Sequence, residues 1–584
     1  MKNTKKIIIF SSLMALYFWI MSFTAFAASF IDYYEKGNSL FDSGKYKEAI
    51  SYYEKSINLN KNIPEVHYNK ALALFNLNKL SDSIKECDIV IKQNPKIINS
   101  YILKAIALNN LDKFSEANST CDKGIKINPN ISQLYISKGY ALNNLKRYQE
   151  ALKILDKGIK LAKNDKELLY SAYIYKGIAL FKTGERDEGL NSLDKAIKMN
   201  PKARDAYQAK GTIYSDMNNY EEAIKLFDKV IELDPKYTLA YVNKAASLVV
   251  LGNFEEVIEN CDKAYSLNTA NLDDINSIIY VNKSAAYLGL GQLDKAMESA
   301  EKAIELDPKD SMAYINKASA LYEFEKFDEA LEAVNKAIEL NPYSGLAYAN
   351  KGCALTKLNE YNDALKACDK AIELEPQNNE VMALAYANKG LVYVNISDNE
   401  KSLEFSNKAI DLKPKNKRTL LIAYINKSSA LGSDGKFKEA LEASNEAIKL
   451  SPKKCEPYAN KGLALIGLEN YEEALEAGKK AIEIKPDFYL GYYVKGVALD
   501  KTDNSKDAIA ALDKALQLKP DFKKAELKKN EILSKIAMKK FMIFLLAIVI
   551  LGLIILGLVI VIVKHKRKKN LSMNVNELYR DISR

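Results

Sequence analysis

Histidine is nearly missing: the 584 residues contain two, and only His67 lies in the body of the chain. Histidine-based triads, H-E-x-x-H zinc sites and histidine metal clusters therefore have no material to work with. The six cysteines, Cys87, Cys121, Cys261, Cys353, Cys368 and Cys455, show neither C-x-x-C nor zinc-ribbon spacing. Four of them recur at one repeat position and read as small apolar fillers; a bridge between Cys353 and Cys368 is the alternative. No Gly-rich phosphate loop occurs, and no metal or cofactor is implied. Concentrated positive charge is also missing from the body. Of the formal +10, +3 lies in Lys2, Lys5 and Lys6 and +5 in the last 21 residues, leaving +2 between. A nearly neutral body lacks the field that phosphate backbones require, which argues against nucleic acid.

Apolar runs mark both ends. Lys2, Lys5 and Lys6 precede an apolar stretch from Ile7 to Phe26, and Ala25-Phe26-Ala27 offers a signal-peptidase site. Residues 1–27 thus read as a signal peptide, with an uncleaved N-terminal anchor as the rival. Trp19, the single tryptophan, falls inside this leader. Phe541 to Val563 is 23 residues without a charge, enough to cross a hydrocarbon core about 30 Å thick. Lys564, Lys566, Arg567, Lys568 and Lys569 follow it and place residues 564–584 as a short basic cytoplasmic tail. The body is then extracytoplasmic, and the protein sits in the cell membrane by a single pass.

Between the ends one pattern recurs fourteen times. It reads Ala349-Asn350-Lys351-Gly352-Cys353-Ala354-Leu355, then Tyr361, Asp363-Ala364-Leu365, Ala371-Ile372-Glu373-Leu374 and Pro376. The small residue after lysine, taken as position 8, runs from Gly37 to Gly496, with 34 residues in nine of thirteen steps and 38 or 39 in the others. Four extra residues add about one helical turn, so the longer steps should extend first helices without turning their faces. Each repeat has two apolar stretches of helical period around a polar turn such as Asn359-Glu360, which makes it a helical hairpin. Small residues at positions 8 and 20 (Ala49, Ala151, Ala223, Ala364, Ala508) let the two helices approach. Tyr at position 4 supplies a ring over the partner helix, and eleven of thirteen prolines occupy position 32. His67 takes the position-4 slot and reads as a packing substitute for Tyr.

This layout over roughly 490 residues closely resembles the tetratricopeptide repeat family. The resemblance implies an all-α, right-handed superhelical solenoid of about fourteen helix-turn-helix repeats at 28–520, its first helices lining a concave groove. Residues 521–540, with Ala525, Leu527, Ile532, Leu533 and Ile536, would cap it and run into the span at 541–563. A departure from the family is lysine at position 7 in every repeat, from Lys36 to Lys495. Position 25 is usually acidic (Asp88, Asp122, Asp228, Asp369, Asp513), so a structural lysine-to-acid contact within or between hairpins is the favoured reading. A lysine ladder for anionic ligands is the other.

Position 6 carries Asn69 and then, in seven consecutive repeats, Asn243, Asn282, Asn316, Asn350, Asn388, Asn426 and Asn460. In relatives of this family an asparagine there faces the groove and can hydrogen-bond the backbone of an extended peptide. Position 9 beside it is small or apolar (Ala246, Ala285, Ser319, Cys353, Leu391, Ser429, Leu463), without the basic residues of a carboxylate clamp. The alternative is that these amides bridge adjacent first helices. The expected function is a non-enzymatic membrane-anchored scaffold binding proteins or extended peptides. Its rivals are an envelope enzyme acting on sugar or peptide polymers through groove carboxylates, and an architectural spacer or self-associating array.

Overall fold

The computed structural model describes residues 11, 13–17, 30–268 and 272–583, and among them there are helices and turns but no strand. The leader's cleavage motif and Trp19 lie outside the described residues. The chain divides into two compact units, Met1–Asn282 and Lys283–Arg584. Both are built from the same hairpin. A first helix of 13 residues, as in Ile98–Asn110, is followed by a second of 14, as in Phe114–Ile127. The four long steps do lengthen first helices: Lys166–Lys182, Asp273–Gly289, Asn379–Asn395 and Lys417–Ser433 each have 17 residues.

Local chemistry explains both ends of each hairpin. The turn inside it is closed by a residue of positive φ: glycine at Gly44 or Gly435, but also Asn78, Asp112, Glu325 and Asn359. The N–H that follows bonds back over the helix end, as Lys113 does to the Leu108 carbonyl at 2.9 Å, which is the Schellman closure. Between hairpins, proline forces its predecessor out of the helical region. Asn94 is accordingly extended before Pro95, and its Oδ1 accepts from the N–H of Lys96 at 3.1 Å. Proline thus ends the second helix; the next first helix starts three residues later at Ile98. The position-4 hydroxyl then ties back to the proline carbonyl, Tyr135 to Pro129 at 2.9 Å and Tyr241 to Pro235 at 3.1 Å.

Close helix approach follows from the small residues. Ala49, Ala151, Ala223, Ala364 and Ala508 are fully buried. A methyl group on Gly139 would lie 2.4 Å from Leu155 Cδ2, so the first helix can sit on that leucine only because position 8 is glycine.

Lys523–Ile582 is one unbroken helix of 60 residues. Its first turns cap the array, with Ala525 and Ile532 buried against Leu499 and Leu512. Leu527, expected in the cap, is instead 69% exposed, because 525, 532 and the half-buried 536 share the packed face and 527 does not. Further on, the helix carries the exposed, uncharged stretch 541–563 and is long and apolar enough to cross a membrane.

Candidate functional site

The asparagine lane is largely consumed by the stack. Asn388 Nδ2 donates to the Ala349 carbonyl at 2.8 Å and Asn426 Nδ2 to Ala387 at 2.8 Å, each reaching the first helix of the preceding repeat. Asn460 reaches Ile425 at 3.1 Å and Asn282 reaches Val242 at 3.3 Å in the same way. Asn388 is 0% exposed and Asn426 2%, while Asn282 and Asn316 are also buried. A peptide in the groove cannot reach amides so placed. For Asn282, Asn388, Asn426 and Asn460 the bridging alternative describes the geometry, because first helices packed by small residues bring a neighbour's carbonyl within reach. Asn350 differs: it is half-buried and bonds the Leu346 carbonyl of its own helix at 3.0 Å. Asn243 is half-buried as well.

Sequence reasoning missed a second set of bridges at position 12. Asn109 Nδ2 donates forward to the Ser137 carbonyl at 3.1 Å and Asn143 Nδ2 to Tyr175 at 2.8 Å. The pairs Asn109-Asn110 and Asn143-Asn144, just before the turns of two successive repeats, were the available signal.

Where the position-7 lysines pair with acids, the contact is structural and runs between hairpins. Lys104 pairs with Asp88 at 2.5 Å, Lys138 with Asp122 at 2.5 Å, Lys176 with Asp156 at 2.6 Å and Lys210 with Asp194 at 2.6 Å. In every case the acid belongs to the second helix of the preceding repeat. Lys70 and Lys244 also reach acids of their own second helix, Glu86 at 2.9 Å and Glu256 at 2.8 Å. The ammonium groups therefore sit between consecutive second helices, on the side away from the first-helix face. The ladder continues into the cap, where Lys529 pairs with Asp513 at 2.6 Å. Lys529 stands thirty-four residues after Lys495, so the cap is the first helix of a degenerate further repeat.

His67 behaves as a substitute tyrosine. It is buried, and its Nε2 lies 3.2 Å from the Lys61 carbonyl, six residues back, where Tyr135 finds Pro129. Its Nδ1 lies 2.6 Å from Glu86, which Lys70 also holds. Burial pushes the Glu86 carboxyl up, but His67 and Lys70 outweigh it and hold it below the usual range. The same direction applies to Asp82, Glu150, Glu298, Glu323, Asp363, Asp398 and Glu531. A general acid needs the opposite displacement. All six cysteines are buried and outside any disulfide, and burial pushes the Cys87, Cys121 and Cys455 thiols up to about 12. Such thiols are poor nucleophiles.

What remains accessible on the first helices is a strip at position 9. Leu72, Ile106, Tyr140 and Ile178, one per repeat in four consecutive repeats, are half-buried. The Tyr140 ring meets Tyr175 of the next first helix at a tilt, with centroids 4.9 Å apart. In the second unit Leu391, Ser429 and Leu463 continue the position, whereas Ser319 and Cys353 are buried. Cys353 lies in a pocket with Tyr322 and Asn350, and Arg418 of a distant repeat forms part of its lining.

Models of the tetratricopeptide repeat match residues 205–237 and 345–378, 283–345, and 132–165, 383–416, 421–454, 456–488 and 490–522. A further TPR repeat model matches residues 37–78, and together these stretches exceed half of the chain. No curated protein matches it. Among solved structures it is similar to one described as the crystal structure of APC/C hetero-tetramer Cut9-Hcn1. The identity is 17% and the TM-score 0.53, with 79% of this chain and 95% of that chain covered. A likeness at that identity speaks for the fold.

Proposed function

The chain belongs to the tetratricopeptide-repeat family, and from that premise we propose that it is a non-enzymatic scaffold binding polypeptide on the first-helix face. The span at 541–563 anchors it in the cell membrane, with the repeats on the extracytoplasmic side and the tail 564–584 inside. The observation that carries the reading is the half-buried position-9 strip of Leu72, Ile106, Tyr140 and Ile178. Apolar and aromatic side chains at a regular spacing on a rigid support gain from covering by a partner chain. Asn109 and Asn143 support the strip by bridging neighbouring first helices beneath it. In the asparagine lane further along, half-buried Asn243 and Asn350 are the members best placed to touch a ligand as well. Downward-displaced carboxylates and inert thiols favour binding over bond-making.

Photoreactive amino acids at Ile106 and Tyr140, with exposed Lys123 on a second helix as control, test this in intact cells. Discrete polypeptide adducts from the first two sites and none from the third are expected. No adducts beyond those at Lys123 would replace the scaffold by the spacer reading. Protease added outside intact cells should remove the repeats and spare the tail; protection of the repeats would overturn the topology.

A further inference from the structure

Within the second unit one short segment is tied to repeats far along the chain. Glu323 ends the first helix Ser311–Glu323 of repeat 9, and Phe324-Glu325 forms the turn after it. Glu323 Oε1 accepts from Arg418 Nη2 at 2.7 Å and its Oε2 from Lys454 Nζ at 3.0 Å. Glu325 Oε1 accepts from Lys485 Nζ at 2.7 Å. These partners are 95, 131 and 160 positions away, whereas the ladder pairs join neighbouring repeats. Arg418 and Lys454 stand at the starts of the first helices of repeats 12 and 13, and Lys485 follows the second helix of repeat 13.

The receiving edge is basic beyond what two carboxylates neutralise. Exposed Lys413, Lys417 and Lys453 flank the three paired cations. Of the nearby acids, Glu380 is engaged by the backbone N–H groups of Lys415 and Asn416, at 2.6 and 3.3 Å, and Asp487 lies beside Lys485. The Glu323 side chain is only 23% exposed, so its bonds to Arg418 and Lys454 are charge-assisted and partly shielded from solvent. The molecule thus displays an acidic tripeptide, Glu-Phe-Glu, seated on its own basic edge.

We propose that the edge formed by Lys413, Lys417, Arg418, Lys453, Lys454 and Lys485 is a docking surface for an acidic polypeptide segment with carboxylates on alternate residues. Glu323-Phe324-Glu325 is its tethered internal competitor. This rests on the reading of the array as a polypeptide binder and adds the chemistry of the partner and a means of regulating access. An intramolecular competitor acts at high effective concentration, so an external segment binds weakly until the internal carboxylates are displaced. Charge complementarity also governs how fast the partner arrives and how salt weakens it.

The test uses the detergent-solubilised full chain and a fluorescent synthetic peptide bearing repeated Glu-Phe-Glu. Glu323→Gln/Glu325→Gln, near-isosteric and confirmed folded by circular dichroism, should bind it about ten-fold more tightly than the wild type as the competitor is removed. Adding Arg418→Gln and Lys454→Gln to that variant should abolish the gain, and a Gln-Phe-Gln peptide should not bind. Equal affinity of wild type and the double glutamine variant for Glu-Phe-Glu would overturn the proposal. So would a gain that inorganic polyphosphate or phosphatidylglycerol vesicles reproduce equally, since the edge would then be a general anion surface. Capture at Ile106 and Tyr140 is independent of these outcomes, so loss of the acidic-peptide site with that capture intact leaves the scaffold reading standing.

Discussion

The first and second units stack the same hairpin but hold it with different polar ties. In the first, the lysine ladder is unbroken from Lys70 to Lys244, on the second-helix side. In its repeats 3 to 6 position 6 is Leu103, Ser137, Tyr175 and Ala209, and the amide bridges there are thrown forward from Asn109 and Asn143, while toward its two ends Asn69 reaches back to Asn38 and Asn282 to the Val242 carbonyl. In the second, Asn335, Asn407, Asn445 and Lys479 replace the acid, and Lys351, Lys427, Lys461 and Lys495 form no ion pair among the described residues. There the amide bridges run backward from Asn388, Asn426 and Asn460. At Lys427 and Lys461 the amide stands in for the missing rung. At Lys495 neither tie is present, and a methyl group on Gly478 would lie 3.0 Å from the Lys495 nitrogen, so close backbone packing takes over. A repeat interface therefore tolerates exchange of its polar tie as long as the small residues keep the helices in contact.

The exchange has unequal energetic weight, and the buried tie should be the stronger. Asn388→Ala removes the Nδ2 bond to the Ala349 carbonyl at a site with 0% exposure, while that carbonyl keeps its partner within the helix Gly345–Lys357. A buried hydrogen bond of this kind contributes about 0.5–1.5 kcal/mol net. Urea unfolding of the solubilised chain, followed by a fluorophore in the second unit, should show a loss of that size. The matched change in the first unit, Ser137→Ala at the same repeat position, should lie within about 0.5 kcal/mol. Equal losses at the two sites would mean that the units are not held differently.

The hairpin and its dimensions were legible because they follow from residues close in sequence. Alanine at position 20, glycine at 8, tyrosine at 4 and proline at 32 dictate helix, approach and stop, and a four-residue insertion can only add a turn. The lysine-to-acid contact was legible in kind, since Lys138 and Asp122 recur at fixed offsets. Its direction, toward the preceding repeat, depends on how hairpins stack. Whether Asn388 faces a peptide or a neighbouring carbonyl depends on a distance between helices that periodicity does not report, and there the groove reading gives way to the bridge. Leu527 went wrong for a simpler reason: apolar character was read without asking which face of the cap helix packs. The seating of Glu323 on Arg418 and Lys454 left no local trace, since curvature within the second unit brings them together across three and four repeats.

The ladder itself offers a smaller test. Lys138→Gln breaks a rung whose acid, Asp122, is nearly half exposed, at 44% of its side chain. Ion pairs of that exposure are worth about 0–1 kcal/mol and are screened by salt. The loss should therefore be small in dilute buffer and vanish in about 1 M salt, where the Debye length falls to roughly 3 Å. The loss caused by Asn388→Ala should persist under the same conditions, because a buried amide is not screened. A salt-independent Lys138→Gln penalty would show that the lysine stem, packed between second helices, outweighs its charge.

The smallest effect expected is also the most direct check on the exchange of ties. Lys479 occupies position 25 of repeat 13, where an acid would meet Lys495, and instead sets two lysines at one interface. Lys479→Asp should supply the missing rung and remove a like charge, at the cost of the Lys479 bond to Glu476 at 2.7 Å on its own helix. That bond is an exposed i,i+3 pair worth about 0.3 kcal/mol, against at most about 1 kcal/mol for the new one. A net gain of a few tenths of a kcal/mol in the urea midpoint of the second unit is the expected outcome. No gain, with the Lys138→Gln loss present, would mean that the Gly478 contact holds the two helices at a spacing where Lys495 cannot reach the new carboxylate.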